Sequence, residues 1–175
     1  MHVKNSLTEY GFISKSLHWL SAILLLIQIP LGFYLVDLDF GEERITIENI
    51  HVTIGLGIFY VIIFRLLNNL INPVPKLGPA TFIGQRFIAK LNHLLLYIAV
   101  LSITISGILK KLFNGEPLVI FLKEIKIQDN FELADQFYNI HIISNYVLIG
   151  LVALHVSAVI TVSYTHLRAH ETMLH

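Results

Sequence analysis

Five histidines lie inside or at the edges of long apolar runs: His18, His51, His93, His141 and His155. Ionisable side chains are costly at membrane depth and tend to mark functional sites, although a single one also serves as a helix-packing hydrogen bond. His141 and His155 stand fourteen residues apart in "FYNIHIISNYVLIGLVALHVSAV". In a helix that spacing advances about 21 Å and returns to within about 40° of the starting face. Both rings therefore leave one face, near opposite ends of one run, and each needs a partner at its own depth. His18 opens the first run at the level where the fourth run ends, beside His155. His51 opens the second run at the opposite level, beside His141. Depth alone pairs His18 with His155 and His51 with His141.

The chemistry open to two facing imidazoles is narrow here. Zinc takes three or four ligands, often thiolates or carboxylates, and the chain has no cysteine and no carboxylate within these runs. Methionine occurs only as Met1 and Met173. Haem iron needs two axial ligands, and histidine is the one candidate left. Two non-covalent b-type haems fit the count of four histidines, and C-x-x-C-H attachment is excluded without cysteine. Gly55, one turn beyond His51 in "HVTIG", leaves room for a porphyrin or for a close helix contact.

The elements that must carry these residues are four apolar runs, 17–36, 52–70, 91–112 and 140–162. Each approaches the roughly 20 helical residues that cross hydrocarbon. The chain of 175 residues is 55% hydrophobic and 14% charged, with a mean hydropathy of +0.70. It is expected to be all-α, an integral membrane four-helix bundle in which helices satisfy every backbone group internally. Pro30 is expected to kink the first span. The prolines of "NPVPKLGP" are expected to end the second and extend the connection that follows. Trp19, Tyr34 and Tyr138 suit the interface. The polar lead with Lys4 and Lys15, ahead of a long first run, does not read as a cleavable signal.

Four spans put both termini on one side. Lys4, Lys15, Arg65, Lys76, Arg86 and Lys90 lie there, against Arg44, Lys110, Lys111, Lys123 and Lys126 opposite. That narrow excess favours cytoplasmic termini. Lysine plus arginine balances aspartate plus glutamate at 12 each, which gives no electrostatic case for nucleic acid. Residues 1–160 are expected to form the transmembrane domain. The tail 161–175, "TVSYTHLRAHETMLH", reads as a cloning or assembly scar, or else as a metal-binding tail, and is set apart.

Within residues 12–160 the chain resembles the prokaryotic cytochrome b561 family. The resemblance rests on "SKSLHWL", "ENIHVTIG", the "FRLLN" and "NPVP" that close the second span, and the H-x13-H of the fourth. It implies a bacterial inner-membrane di-haem protein in which His18, His51, His141 and His155 are the ligands: His18 and His155 for the inner haem iron, His51 and His141 for the outer. A membrane quinone is the implied partner at the inner side. His93 then suits a quinone or haem-propionate contact, or a replacement ligand, and packing explains it too. Arg65 suits an inner-haem propionate or the lipid headgroups. The outer electron donor is open: superoxide, as for a superoxide:ubiquinone oxidoreductase, or a redox protein. Lys110 and Lys111 suit an anionic reductant or the interface. One rival is a haem-bearing membrane anchor in a larger dehydrogenase or hydrogenase complex. The other is a non-redox membrane protein, colourless, whose histidines pack or bind metal.

Overall fold

The computed structural model describes residues 2–75 and 83–171, with the side chains of 83, 85, 86 and 162–171 outside the description. Four helices dominate: α1 (Phe12–Asp37), α2 (Glu42–Ile71), α3 (Ile83–Phe113) and α4 (Phe131–Glu171), with a short hairpin of β1 (Leu118–Ile120) and β2 (Lys123–Ile125) before α4. All four helices are long and apolar enough to span a membrane. The chain is an all-α four-helix membrane bundle, and lipid is the surface it meets.

Each helix outruns the apolar stretch that announces it. α2 begins with Glu42 and Glu43, whose charges favour the positive end of the helix dipole. α3 ends on Lys110 and Lys111 at the negative end of its own. The acidic turn at the start of α2 precedes the apolar run 52–70, so hydropathy does not register it. α1 runs unbroken through Pro30. At its far end Arg44 donates to the carbonyl of Leu35 at 3.1 Å and also to that of Leu38, pairing acceptors that the helix leaves open. α2 stops at Asn72, in extended conformation just before Pro73. Lys76 and the rest of the proline-rich connection to residue 82 lie outside the described residues, as do the side chains of Arg86, His166 and His170 and the whole of His175.

The bundle is two helical hairpins, α1 with α2 and α3 with α4, joined where α2 meets α3. Its buried core is one layer: Ile58 and Ile62 from α2, Ala99 and Val100 from α3, and Leu148 from α4. Leu148 is 0% exposed and sits midway between His141 and His155 in the chain. Alongside it the Ser102 and Ser144 hydroxyls bond across α3 and α4 at 2.8 Å. At the end of the bundle that carries the N-terminus, Asn68 donates to Ser14 at 2.7 Å and Ser14 to Asn5 at 2.7 Å, tying the start of α1 to the last turns of α2.

The β-hairpin is absent from the sequence reading. α3 closes on Gly115, whose φ of 80° allows a left-handed turn, with its N–H on the Leu112 carbonyl at 2.9 Å. The strands then pair antiparallel, Leu118 with Ile125 and Ile120 with Lys123. Their two-residue turn is Phe121 and Leu122, at φ 49° and 62°, where glycine or asparagine is usual. The Phe121 N–H donates to the Tyr60 hydroxyl at 3.0 Å, which lays the tip against the side of α2.

Two expectations follow. Leu148→Ala should cost roughly 2–5 kcal/mol through the cavity it leaves, read as a lowered unfolding midpoint in detergent, whereas Leu154→Ala, at a position 64% exposed, should leave the midpoint nearly unchanged. Leu122→Gly should stabilise the hairpin by about 1 kcal/mol, because glycine enters the left-handed region freely.

Candidate functional site

α4 supplies one histidine to each end of the bundle, and each meets a ring from a different helix. His51 of α2 and His141 of α4 have ring centroids 6.2 Å apart, with planes crossed at 69°. At the end carrying the N-terminus, His18 of α1 and His155 of α4 stand 6.4 Å apart, crossed at 66°. His93 of α3 joins this second group, 5.2 Å from His155. Both pairings expected from depth are thus met as proximity.

The His51/His141 end opens into a cavity of about 370 Å³. Glycines shape its wall. A Cβ on Gly107 of α3 would fall 3.1 Å from both Cε1 and Nδ1 of His141, and one on Gly32 of α1 would fall 3.1 Å from Cε1 of His51. Each ring therefore lies against the backbone of a neighbouring helix, where any larger residue would push it back by a few tenths of an ångström. Close to that contact the Nδ1–H of His141 donates to the Ile103 carbonyl at 2.7 Å. A carbonyl only accepts, so the proton is on Nδ1 and the lone pair of Nε2 is free. Gly55 lines the same cavity. The space beside it is taken by Gln28, whose Nε2 lies 3.3 Å from where a Gly55 Cβ would be and donates to the His51 carbonyl at 2.9 Å.

Charge collects at the mouth of this cavity. Lys110 and Lys111 each place Nζ 3.7 Å from one carboxylate oxygen of Glu48, and Lys111 also bonds Glu116. Lys111 is only 8% exposed. Its charge is spent on two carboxylates rather than offered to an anion from solution.

The other end is arranged differently. Arg65 of α2 turns inward, away from the headgroup position that a snorkelling side chain would take. Its Nη1 donates to Ser21 at 2.7 Å and its Nη2 lies 3.2 Å from Nδ1 of His18, with the guanidinium 5.4 Å from the Tyr97 ring centre. A guanidinium has only donors, so Nδ1 of His18 accepts and the neutral ring carries its proton on Nε2. That is the opposite tautomer from His141.

Residues 9–175 match the family described as prokaryotic cytochrome b561. The chain belongs to that family. A curated relative, cytochrome b561 homolog 2 of Escherichia coli (strain K12), is 32% identical over 122 residues, which cover 69% of this chain and 65% of the relative. The match therefore spans just under two thirds of that protein's length. With four helices long and apolar enough to cross a membrane, the chain is an integral membrane protein of a b-type cytochrome family. The structural features suit a b-type haem: His51 and His141 both line the cavity of about 370 Å³, and the Ile103 carbonyl leaves one imidazole ready to donate its Nε2 lone pair.

The residues that sequence reasoning missed as part of this site are Gln28, Gly32, Gly107 and the Ile103 carbonyl. A clue existed for the first: Gln28 is the one side-chain amide in an otherwise apolar run, 17–36. Gly107→Val should push the His141 ring off the Ile103 carbonyl and lower the haem-to-protein ratio below that of the wild type, measured by pyridine haemochrome. Gly57→Ala, where an added Cβ meets nothing within 4 Å, should leave that ratio unchanged.

Proposed function

We propose that this cytochrome b561 family member carries electrons across the bilayer between two b-type haems, one held by His18 and His155 and the other by His51 and His141. One observation carries the reading. A ligating imidazole nitrogen would lie about 2 Å from its metal and the ring centre about 1.2 Å further, so two rings sharing one metal between them would stand up to about 6.4 Å apart. The two observed separations, 6.4 and 6.2 Å, fall at or just under that figure. His93 and His155, at 5.2 Å, are too close to face each other across a metal.

Bound at these positions, haem iron supplies one-electron chemistry, with potentials set by its ligands and their hydrogen bonds. The chain does the rest by placement. α4 sets the separation of the two sites through its own rise, about 21 Å over fourteen residues. Ile103 holds the tautomer that lets His141 ligate through Nε2. At the other pair, Arg65 must release Nδ1 of His18 before that ring can ligate through Nε2, and the freed guanidinium then suits a propionate. The layer of Ile58, Ile62, Ala99, Val100 and Leu148 keeps the space between the sites dry.

His93, beside His155, is the polar group proposed to meet a membrane quinone or a propionate at that end. We place the termini in the cytoplasm of a bacterial inner membrane, with quinone as the inner partner. Superoxide is the proposed outer donor, in the manner of a superoxide:quinone oxidoreductase. The lysines at the outer mouth are already paired with carboxylates, so steering of that anion by them is expected to be weak.

Purified protein should hold two b haems per chain by pyridine haemochrome. His51→Ala and His18→Ala should each remove one haem and leave the other's spectrum intact. A wild-type ratio near one, or loss of both haems in either variant, defeats the assignment of pairs. With two haems in place, reduction by superoxide followed by reoxidation with added ubiquinone tests the direction of transfer, and failure of either half-reaction removes the corresponding partner.

A further inference from the structure

We infer that Gln28 is the positioning residue of His51: its carboxamide oxygen is the acceptor for the Nδ1 proton of that ring, the counterpart on α1 of the Ile103 carbonyl that holds His141. The inference rests on the proposal that His51 is a haem ligand and deepens it.

Two buried polar atoms, one on each of these residues, lack a partner. Gln28 Oε1 is a buried acceptor with no hydrogen-bond partner, and His51 Nδ1 is a buried ring nitrogen with none. The two residues are already joined, because Gln28 Nε2 donates to the His51 carbonyl at 2.9 Å. The ring also faces the right strip of α1. A Cβ on Gly32 would lie 3.1 Å from Cε1 and 3.7 Å from Nδ1 of His51, and Gly32 is one helical turn beyond Gln28.

The other histidine of the pair shows what such an arrangement does. Its ring packs on Gly107 and its Nδ1–H donates to the carbonyl of Ile103, four residues before that glycine. On α1 the residue four before the packing glycine is Gln28. The two rings thus share one plan: a glycine that admits the ring and, one turn earlier, an acceptor that takes its proton. Once Nε2 of a neutral imidazole is engaged by a metal, the remaining proton must be on Nδ1. A buried donor in apolar surroundings then needs an acceptor, and the unpaired oxygen beside His51 belongs to Gln28. Asn92 Oδ1, the third unpaired buried atom among the described residues, is on α3 beside His93 and takes no part in this arrangement.

The test uses the full chain with haem bound. The haem of interest is the one that His51→Ala removes. Gln28→Met keeps the length of the side chain and removes the acceptor. It should weaken retention of that haem by about 10- to 100-fold, the usual cost of losing a ligand's outer hydrogen bond, and shift its midpoint potential upward while the second haem is unmoved. Gln28→Glu restores an oxygen acceptor, so it should recover retention and bring the potential back to or below the wild-type value. Wild-type retention and an unshifted potential in Gln28→Met would overturn the inference, as would identical behaviour of the Met and Glu variants. A His51→Ala protein that keeps both haems defeats the ligand assignment instead, and so tells the two failures apart.

Discussion

A polar ring in hydrocarbon has no water to fall back on, so it must find its partner at its own depth. That constraint organises the whole bundle. It forces the histidines of α4 to be met by histidines of α1 and α2, which brings three separate helices into register at two levels. It also decides where the apolar core can be. The tight layer around Leu148 occupies the space between the two levels, and a cavity opens on its His51/His141 side. Hydrophobic burial cannot drive this packing, because lipid is as apolar as leucine. Close contact, a serine pair and the demands of buried polar groups hold the helices together.

The same constraint reaches the smaller features. Glycine occurs where an imidazole must lie against a neighbouring helix, at Gly32 and Gly107. Arg65 turns inward because His18, Ser21 and Tyr97 offer it an acceptor, a hydroxyl and a ring face. Lys110 and Lys111 enter the bundle only in company with Glu48 and Glu116. The two ends nevertheless differ in kind. One has a carbonyl that fixes the proton of its histidine, while the other has a cation that pulls the proton to the far side of the ring. Under the proposed ligation, reorganisation would accordingly be uneven, slight at His141 and larger at His18.

Much of this was legible in the sequence. Helical spacing put His141 and His155 on one face, and depth said which histidine would stand beside each. Four helices followed from four apolar runs, yet their ends did not. Residues 42–50 and 131–139 are helical but polar, so hydropathy stops short of them. The hairpin was hidden because Phe121 and Leu122 are not turn-forming residues; their left-handed geometry is tolerated, with the Phe121 N–H held by Tyr60. Gln28 was hidden for another reason. Its meaning depends on which face of α1 meets α2, and an almost uniformly apolar helix gives no such direction. Gly55 was read as space for a ring or a helix contact, and it turned out also to admit that amide.

The spacing of the two histidine levels has one further consequence. Because a single unbroken helix carries one ring of each pair, their separation is a covalent length. Bilayers differ in thickness, and bundles respond by tilting or by drawing lipid around them. Neither response stretches α4. A thinner or thicker membrane would change how deep each centre lies beneath its surface and how easily partners in water or lipid reach it. The gap between the two histidine pairs would stay the same, so under the proposed function the distance an electron crosses would be insulated from the lipid composition of the host.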